Sequence, residues 1–298
     1  MRLATIRHGG EELAAVVLPD GVVPVNEIHD SDGDGWPIDL LSLLHSGRLD
    51  ELRGHVDGSG EAAGAEDISA RAIPLSEVEY GPLYRRPRKI WGIGLNYVEH
   101  AGDLQETAPS KEPASFMRPD TTIIGPGEEI RLPEQSERVT GEAELGLIIG
   151  REARNVSEEE APSVVAGFTT ILDMTAEDIL RKNPRYLTRA KSFDTFFGFG
   201  PQLVTPDEVG EVEDLKVATV LNGEVRRENV VSNMTFSPWF LVSFHSKVMT
   251  LLPGDVISTG TPGAVEIRSE DVAGCRISYF EPLSNPVRRI HPAIHRST

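Results

Sequence analysis

The chain has 298 residues, of which 29 are basic and 47 acidic, so its formal net charge at pH 7 is −18. This length can bury a sizeable core in one large domain or two. The strong negative charge argues against nucleic acid and anionic membrane surfaces as partners, because both attract basic patches. The sequence also has no uninterrupted apolar run of about 18 residues, the minimum for a transmembrane helix.

A single cysteine, Cys275, excludes a disulfide framework and a thiolate zinc site within one chain. A lone thiol fits a reducing compartment. The first residues enter a strand-like pattern without the apolar segment of a signal peptide. We therefore expect a cytoplasmic protein.

The first of two predicted domains comprises residues 1–84 and is a small α/β unit. Apolar runs separated by glycine-containing turns predict three strands, at 3–6, 13–17 and 22–25. The spacing of apolar residues over 38–44 predicts a short amphipathic helix. Segment 58–67 is rich in Gly, Ala and Glu and predicts an exposed loop.

The second predicted domain comprises residues 85–298 and begins at a basic run. Strands and glycine turns dominate it and helices are few, so the fold class is α+β and rich in β-structure. Ser157 and Thr175 are each followed three residues later by an acidic residue, a pattern typical of helix N-termini.

The most informative segment is 141–150, where alternating apolar residues predict a β-strand. Because side chains alternate between the two faces of a strand, Glu142 and Glu144 share one face, and Ala143 and Leu145 share the other. Two adjacent carboxylates without a local cation repel each other and lose hydration. The pair is either the solvated polar face of an ordinary strand or part of a divalent-cation site.

Other polar residues occupy positions that simple patterning does not require. Asp173 follows the end of a predicted strand, which suits a turn residue as well as a functional carboxylate. His100 and Asp103 are i, i+3 neighbours on a predicted helix, where the carboxylate could orient the imidazole or the pair could be incidental. Taken alone, Lys191 is expected to be a charge on the protein surface. Loop 258–263 is either an anion-binding loop or a plain turn.

Taken in order, several segments resemble the fumarylacetoacetate hydrolase family over about residues 88–290. The matching segments are Gly94-Leu95-Asn96-Tyr97 with His100-Ala101, Ile124-Gly125-Pro126, Gly141-Glu142-Ala143-Glu144-Leu145, Asp173, Lys191-Ser192-Phe193-Asp194 and Thr259-Gly260-Thr261-Pro262. Each segment alone is a weak signal, whereas their common order is specific. The resemblance implies a catalytic domain with a mixed β-sandwich or roll, preceded by a small N-terminal domain.

The resemblance implies that Glu142, Glu144 and Asp173 are the ligands of a divalent cation, Mg²⁺ in the first place, with Mn²⁺ or Ca²⁺ as alternatives. Many members carry Arg and Gln where this chain has Glu177 and Leu180. Both positions lie near the implied substrate site. The resemblance therefore predicts the cation site more firmly than the substrate.

The resemblance also implies three catalytic residues. His100 would be the catalytic histidine and Asp103 its partner, although many members have Glu at the latter position. Lys191 would approach the bound substrate. The implied substrate contacts are Arg118, Gly260 and Thr261.

The predicted function is a divalent-metal-dependent hydrolase that cleaves a C–C bond in 2-oxo acids of the acylpyruvate or fumarylpyruvate type, in aromatic catabolism. A cation that polarises the 2-oxo group would equally serve a decarboxylase or a hydratase or lyase, sugar-acid dehydratases included. Asp103 leaves open a third reading, a metal-binding regulatory protein with poor catalysis. The predicted partners are a small-molecule 2-oxo acid and a second copy of the chain, with segment 236–241 as a candidate homodimer surface.

Overall fold

The computed structural model describes residues 1–28, 35–57, 68–103 and 109–289, without the side chains of residues 100, 101 and 103. The predicted loop at 58–67 lies outside the described residues. Within them the strands are β1 (Arg2–His8), β2 (Glu11–Leu18), β3 (Gly21–Pro24), β4 (Ile73–Pro74), β5 (Ile90–Gly94), β6 (Ala114–Met117), β7 (Ile123–Ile124), β8 (Ile130–Leu132), β9 (Val139–Ile149), β10 (Val165–Ala176), β11 (Phe197–Phe199), β12 (Gln202–Val204), β13 (Lys216–Leu221), β14 (Glu224–Val230), β15 (Val256–Ser258), β16 (Val265–Ile267), β17 (Val272–Ile277) and β18 (Leu283–Arg289).

The described part of the chain has six α-helices against 18 strands, together with several short 3₁₀ helices. The α-helices are α1 (Leu40–Ser46), α2 (Leu49–Asp57), α3 (Val98–Asp103), α4 (Glu177–Lys182), α5 (Leu187–Lys191) and α6 (Pro238–Val248). The 3₁₀ helices are Val25–Glu27, Ile68–Arg71, Leu75–Glu77, Asp120–Thr122, Ala161–Val164, Pro184–Tyr186, Pro206–Glu208, Val212–Asp214 and Val231–Asn233. The predicted class, α+β and rich in β-structure, is therefore confirmed.

Two sheets form the body of the protein. The larger sheet has 13 strands, ten of them in the order β4-β3-β2-β1-β12-β10-β9-β15-β5-β6, while β11, β16 and β7 pair beside this path. The smaller sheet has five strands, in the order β14-β13-β17-β18-β8. Strands β13 and β17 pack against β9, so the main apolar core lies between the two sheets. This packing is the sandwich-like arrangement that the resemblance implies.

The N-terminal segment has the strands and the helix that the sequence predicts. Helix α1 begins where the Asp39 carboxylate accepts a hydrogen bond from Ser42 N at 2.9 Å, and it ends at Gly47, whose φ is 70°. Strand β1 also pairs with β12, with Leu3 opposite Leu203. The N-terminal strands thus extend the large sheet, and the predicted domain boundary at residues 84/85 stays a prediction.

Strands β9 and β10 form the centre of the large sheet, and every residue in both is buried. The predicted strand at 141–150 is confirmed, with Ala143, Leu145, Leu147 and Ile149 in the core between the sheets. The solvated polar face considered as an alternative is wrong, because Glu142 and Glu144 are only 7% and 2% exposed. Asp173 does not follow the end of a strand either, since β10 continues to Ala176.

The two predicted helix starts take other forms. Ser157 and Glu160 make the reciprocal capping bonds, Glu160 N to Ser157 Oγ at 3.2 Å and Ser157 N to Glu160 Oε2 at 2.8 Å. Only a 3₁₀ turn follows, because the chain enters β10 at Val165. Thr175 does not cap α4; its hydroxyl donates to Glu142 instead.

No helix among the described residues is both long enough and apolar enough to cross a membrane. The cytoplasmic location stays a prediction.

We expect Gly167→Ala to destabilise the protein, because β10 packs tightly on β12 at this position. A Cβ on Gly167 would lie 2.5 Å from the carbonyl oxygen of Val204, a backbone atom that cannot rotate away. The expected loss is about 1–3 kcal/mol of unfolding free energy, measured by denaturant titration. Gly210→Ala is the matched control, since nothing lies within 4 Å of its Cβ position. Equal stability of the two variants would contradict this packing.

Candidate metal centre and active site

Three carboxylates meet on one face of the β9–β10 pair. The register places Asp173 directly opposite Glu142, and Glu144 lies two residues further along the same face of β9. One oxygen of each carboxylate lies within 4.8 Å of the other two, and all three side chains are buried. Such a cluster is costly unless opposite charge compensates it.

The outer edge of β9 has no strand partner at the carboxylates among the described residues. Strand β16 pairs with residues 139–141 and β15 with residues 146–148. In the gap, Ala143 N donates to Thr219 Oγ1 at 3.1 Å, and Thr259 N donates to Leu145 O at 3.0 Å. The chain between β15 and β16 turns beside the carboxylates, in the gap that these two strands leave along β9.

This turn brings Gly260 against Glu144. Gly260 N donates to Glu144 Oε2 at 2.9 Å, and the Ser258 hydroxyl donates to the same oxygen. Gly260 has a φ of 100°, and a Cβ there would lie 2.7 Å from Asn96 Cβ, so glycine is required. Thr261, the next residue, is 3% exposed and shares hydrogen bonds with the Gly263 backbone.

Two cations reach the carboxylates from other segments. Lys191, at the end of α5, places Nζ 3.0 Å from Glu142 Oε2 and 2.8 Å from Asp173 Oδ1. Arg118 pairs with the same Asp173 oxygen, and its side chain is fully buried. Arg118 also donates to the carbonyl oxygens of Lys191 and Met174, so it fixes α5 relative to β10.

The charges of this cluster do not balance. Three carboxylates against Lys191 and Arg118 leave a formal charge of −1. In addition, Asp173 Oδ2 is buried and has no hydrogen-bond partner in the described part of the chain. A divalent cation with a preference for oxygen ligands fits both observations, because it supplies charge and a partner for Asp173 Oδ2.

Burial and mutual repulsion shift the protonation of this cluster. Burial, followed by the charge of Asp173, raises the pKa of Glu144 to about 8. Burial also raises the pKa of Asp173, against the opposing effect of Arg118. Although burial lowers it, the carboxylates of Asp173 and Glu142 together raise the pKa of Lys191, which stays a cation. Without a bound cation, the site thus relieves its excess negative charge by holding a proton.

Two threonines orient Glu142 and were missed by the sequence reasoning. Thr175 Oγ1 donates to Glu142 Oε1 at 2.8 Å, and Thr140 Oγ1 donates to the same oxygen at 3.2 Å. Hydrogen bonds of this kind hold a ligating carboxylate in place. The available signal was the strand period, which puts Thr140 on the same face as Glu142 and Glu144.

Helix α3 forms where the sequence predicts it and contains His100 and Asp103, whose side chains lie outside the described part of the structure. Asn96, just before the helix, anchors its start near the carboxylates. Asn96 Nδ2 donates to Thr259 O at 2.7 Å, beside Gly260. The helix that carries the predicted catalytic pair therefore starts next to the turn that contacts Glu144.

The structure thus brings Glu142, Glu144, Asp173, Lys191 and Arg118 into one buried cluster and places Gly260 against it. The fold and the cluster together define a class, that of mixed β-sandwich proteins with a buried carboxylate centre on a central pair of strands. The roles of these residues in catalysis and binding stay predictions.

Comparison with known proteins identifies the family. Residues 89–288 match the family model described as fumarylacetoacetate (FAA) hydrolase C-terminal. The chain is also 38% identical over 224 residues to human oxaloacetate tautomerase FAHD2A, mitochondrial, an alignment that covers 72% of this chain and 71% of the relative. The protein belongs to the fumarylacetoacetate hydrolase family, and the sequence resemblance is confirmed.

Solved structures of related proteins match the fold of this protein over nearly the whole chain. A 5-carboxymethyl-2-hydroxymuconate delta-isomerase from Mycobacterium smegmatis is 29% identical, with a TM-score of 0.76, and the match covers 98% of this chain and 100% of the other. A maleylpyruvate hydrolase from Sphingobium sp. SYK-6, in complex with manganese(II) ion and pyruvate, is 27% identical with a TM-score of 0.79 and the same coverage. The family thus includes hydrolases, isomerases and tautomerases.

We expect Mn²⁺ binding to release protons near neutral pH. Since the pKa of Glu144 is raised to about 8, this carboxyl is largely protonated below that pH and must lose its proton to bind a cation. Isothermal titration calorimetry in buffers of different ionisation enthalpy should show close to one proton released per Mn²⁺ at pH 6.5 and almost none at pH 9. The apparent affinity should rise between these values.

The same shift has a consequence for the metal-free protein. The folded state binds more protons than the unfolded state between the ordinary carboxyl pKa and about 8, so stability should fall as pH rises through this interval. The Glu144→Gln variant lacks the titrating carboxyl. This variant should bind Mn²⁺ about 100-fold or more weakly than the wild-type protein, and its Mn²⁺ binding should release no proton. Proton release that is unchanged in this variant would assign it to another group.

Proposed function

We propose that the protein is a divalent-metal-dependent hydrolase that cleaves a C–C bond in 2-oxo acids of the acylpyruvate or fumarylpyruvate type. The observation that carries this proposal is the buried carboxylate cluster, with its residual charge of −1 and with Asp173 Oδ2, which has no hydrogen-bond partner among the described residues. Two carboxylates come from β9 and one from β10, so the donors are held by a rigid sheet. The related maleylpyruvate hydrolase structure holds manganese(II) ion and pyruvate, which supports a divalent cation and a 2-oxo acid as ligands of this protein.

Glu142, Glu144 and Asp173 would hold the cation, either Mg²⁺ or Mn²⁺, with Ca²⁺ as a further candidate. When bound, this cation would supply Lewis-acid polarisation of the 2-oxo group. Lys191 stays protonated and lies beside two of the three carboxylates, so it adds positive charge where negative charge develops on the substrate. Lys191 therefore acts as an electrostatic group and not as a base.

The turn around Gly260 would receive the substrate carboxylate. The Gly260 N–H is committed to Glu144, so this glycine acts through the close approach of its backbone. We propose Thr261 as the group that contacts the substrate, as the family resemblance implies. Arg118 uses its terminal nitrogens on Asp173 and on backbone carbonyls, and we propose that it serves the substrate by holding Asp173 in place.

His100 would act as general base in the hydrolysis step. It would take a proton from the water that attacks the distal carbonyl carbon, and Asp103 would orient its imidazole. The C–C bond then breaks, its electron pair passes to the pyruvate carbon, and a proton restores the methyl group. The products are pyruvate and a carboxylic acid. Helix α3, which carries both residues, starts two residues after Asn96, whose side chain is anchored next to the site.

A second candidate function is keto–enol tautomerisation or isomerisation of a 2-oxo acid. The 38% identity to a human protein named oxaloacetate tautomerase favours it, as does the isomerase among the similar structures. This reaction moves a proton without breaking a C–C bond and needs no attacking water. Product analysis separates it from hydrolysis and from the decarboxylase, hydratase and lyase alternatives.

The homodimer also stays a proposal. Within the predicted segment 236–241, Phe236 and Leu241 are buried, whereas Trp239 and Phe240 are only partly covered. Phe240 stacks on Phe236 at 5.1 Å between ring centroids. We propose that this face of α6 contributes to a dimer, which sedimentation velocity would detect as twice the chain mass; a monomer at all concentrations would contradict it.

We expect pyruvate release from acylpyruvate and fumarylpyruvate to require a divalent cation and Glu142. NMR of the products should show C–C cleavage with Mg²⁺ or Mn²⁺ present, and Glu142→Ala should lower kcat/KM by about a thousand-fold or more because one ligand is lost. Glu159→Ala is the control, since this glutamate is exposed. Cleavage that survives both chelation and Glu142→Ala would refute the hydrolase mechanism. A tautomerised product without cleavage would select the second candidate.

A further inference from the structure

A row of polar side chains leads away from the carboxylate cluster along the same face of the large sheet. Its steps follow the strand register: Glu142 opposite Asp173, then Thr140 between Thr175 and Glu266, then Arg138 beside Glu177. Glu142 and Asp173, at the inner end of the row, are buried, whereas the Arg138 side chain is 39% exposed. The row therefore connects the cluster with solvent.

The inner end of this face is closed. Beyond Glu144, the next residue on the face is Gly146, where a Cβ would lie 2.4 Å from Ile171 Cδ1 and 2.9 Å from Thr169 Cγ2. These side chains fill the space above the glycine. Along the strands, a molecule held at the carboxylates can therefore extend only toward the outer end of the row.

Alternating charges make up the outer end. Arg138 pairs with Glu177 and Glu266, and these two carboxylates also pair with Arg181 at 2.7 Å and Arg268 at 3.0 Å. Three guanidinium groups against two carboxylates leave a formal charge of +1. Because the side chains of Arg181 and Arg268 are 62% and 77% exposed, Arg138 is the least solvated cation of the group.

The two carboxylates hold the Arg138 guanidinium across the row. Glu177 follows β10 and Glu266 lies on β16, on opposite sides of β9. Glu266 lies opposite Thr140 in the β16–β9 register, and Thr140 is nearer to Glu142 than Arg138 is. The ion pair between Arg138 and Glu266 therefore draws the guanidinium toward the carboxylate cluster. Nε and Nη1 are used in these pairs, while Nη2 has no partner among the described residues.

The spacing suits an extended ligand of moderate length. Arg138 lies four positions before Glu142, which is about 13 Å between their Cα atoms at the usual rise per residue of a strand. The long Arg138 side chain spans part of this distance. The threonine hydroxyls between them are committed to Glu142 Oε1, so the middle of the row carries no free charge.

We propose that Arg138 binds a second carboxylate at the far end of the substrate, so that the site selects dicarboxylic over monocarboxylic 2-oxo acids. The inference rests on the proposed function, since it requires the 2-oxo acid end to lie at the carboxylate cluster. Nη2 of Arg138 supplies the new hydrogen bond, and Glu177 and Glu266 are positioning residues that keep the guanidinium over β9.

Binding of paired ligands tests this selection without requiring turnover. In the presence of Mn²⁺, isothermal titration calorimetry would compare 2-oxoadipate with 2-oxohexanoate, and the next longer pair, 2-oxopimelate with 2-oxoheptanoate. We expect the wild-type protein to bind the better dicarboxylate about 10–100-fold more tightly than its monocarboxylic partner, as for one charge-assisted hydrogen bond. Arg138→Gln should remove this preference and leave the affinity for the monocarboxylates within about threefold.

Two further variants separate selection from simple structural damage. Arg268→Gln alters the same charged group but does not contact Glu177, and it should keep the preference. Arg138→Lys keeps the charge without the planar fork and should keep part of it. Equal loss of affinity for both ligand types in Arg138→Gln, or an undiminished preference, would overturn the proposal.

Pyruvate distinguishes this inference from the proposed function, because it occupies the cluster without reaching Arg138. Wild type and Arg138→Gln should bind Mn²⁺ and then pyruvate equally well. If wild type fails to bind them, the proposed function fails together with the inference. If both proteins bind them and wild type shows no preference for a dicarboxylate, only the inference fails.

Discussion

The architecture of the site depends on the pairing of β9 with β10, which buries three carboxylates side by side. Their register places Asp173 opposite Glu142, and the strand period adds Glu144 to the same face. Lys191 and Arg118 offset only part of this charge, and Glu144 holds a proton at a raised pKa. Such a cluster is unfavourable by itself, and a divalent cation bound by the three carboxylates would replace their repulsion with attraction.

The elements around β9 and β10 enclose the carboxylate cluster. Strands β15 and β16 flank a gap beside the carboxylates, and the turn through Gly260 fills it while donating to Glu144. Apolar packing at Gly146 closes the inner end of the face, and the charged group around Arg138 lies at the outer end. Along the strands, a ligand held at the carboxylates would therefore extend toward Arg138.

Local patterns in the sequence predicted the central strand, its two faces and the overall class. They could not predict that the polar face is buried, because the elements that cover it come from distant segments, such as α5 with Lys191. Thr175 shows the same limit: its spacing fits a helix cap, but its position on β10 directs the hydroxyl to Glu142. At Ser157 the capping bonds form as predicted, but the chain turns into β10 before an α-helix can develop.

Anomalous X-ray scattering from crystals grown with Mn²⁺ tests the central claim most directly. The account predicts one strong manganese peak bounded by oxygens of Glu142, Glu144 and Asp173, at about 2.0–2.2 Å from each. Asp173 Oδ2, which has no partner in the described residues, should be among these oxygens. A peak elsewhere, or Mn²⁺ bound without one of these three residues, would contradict it.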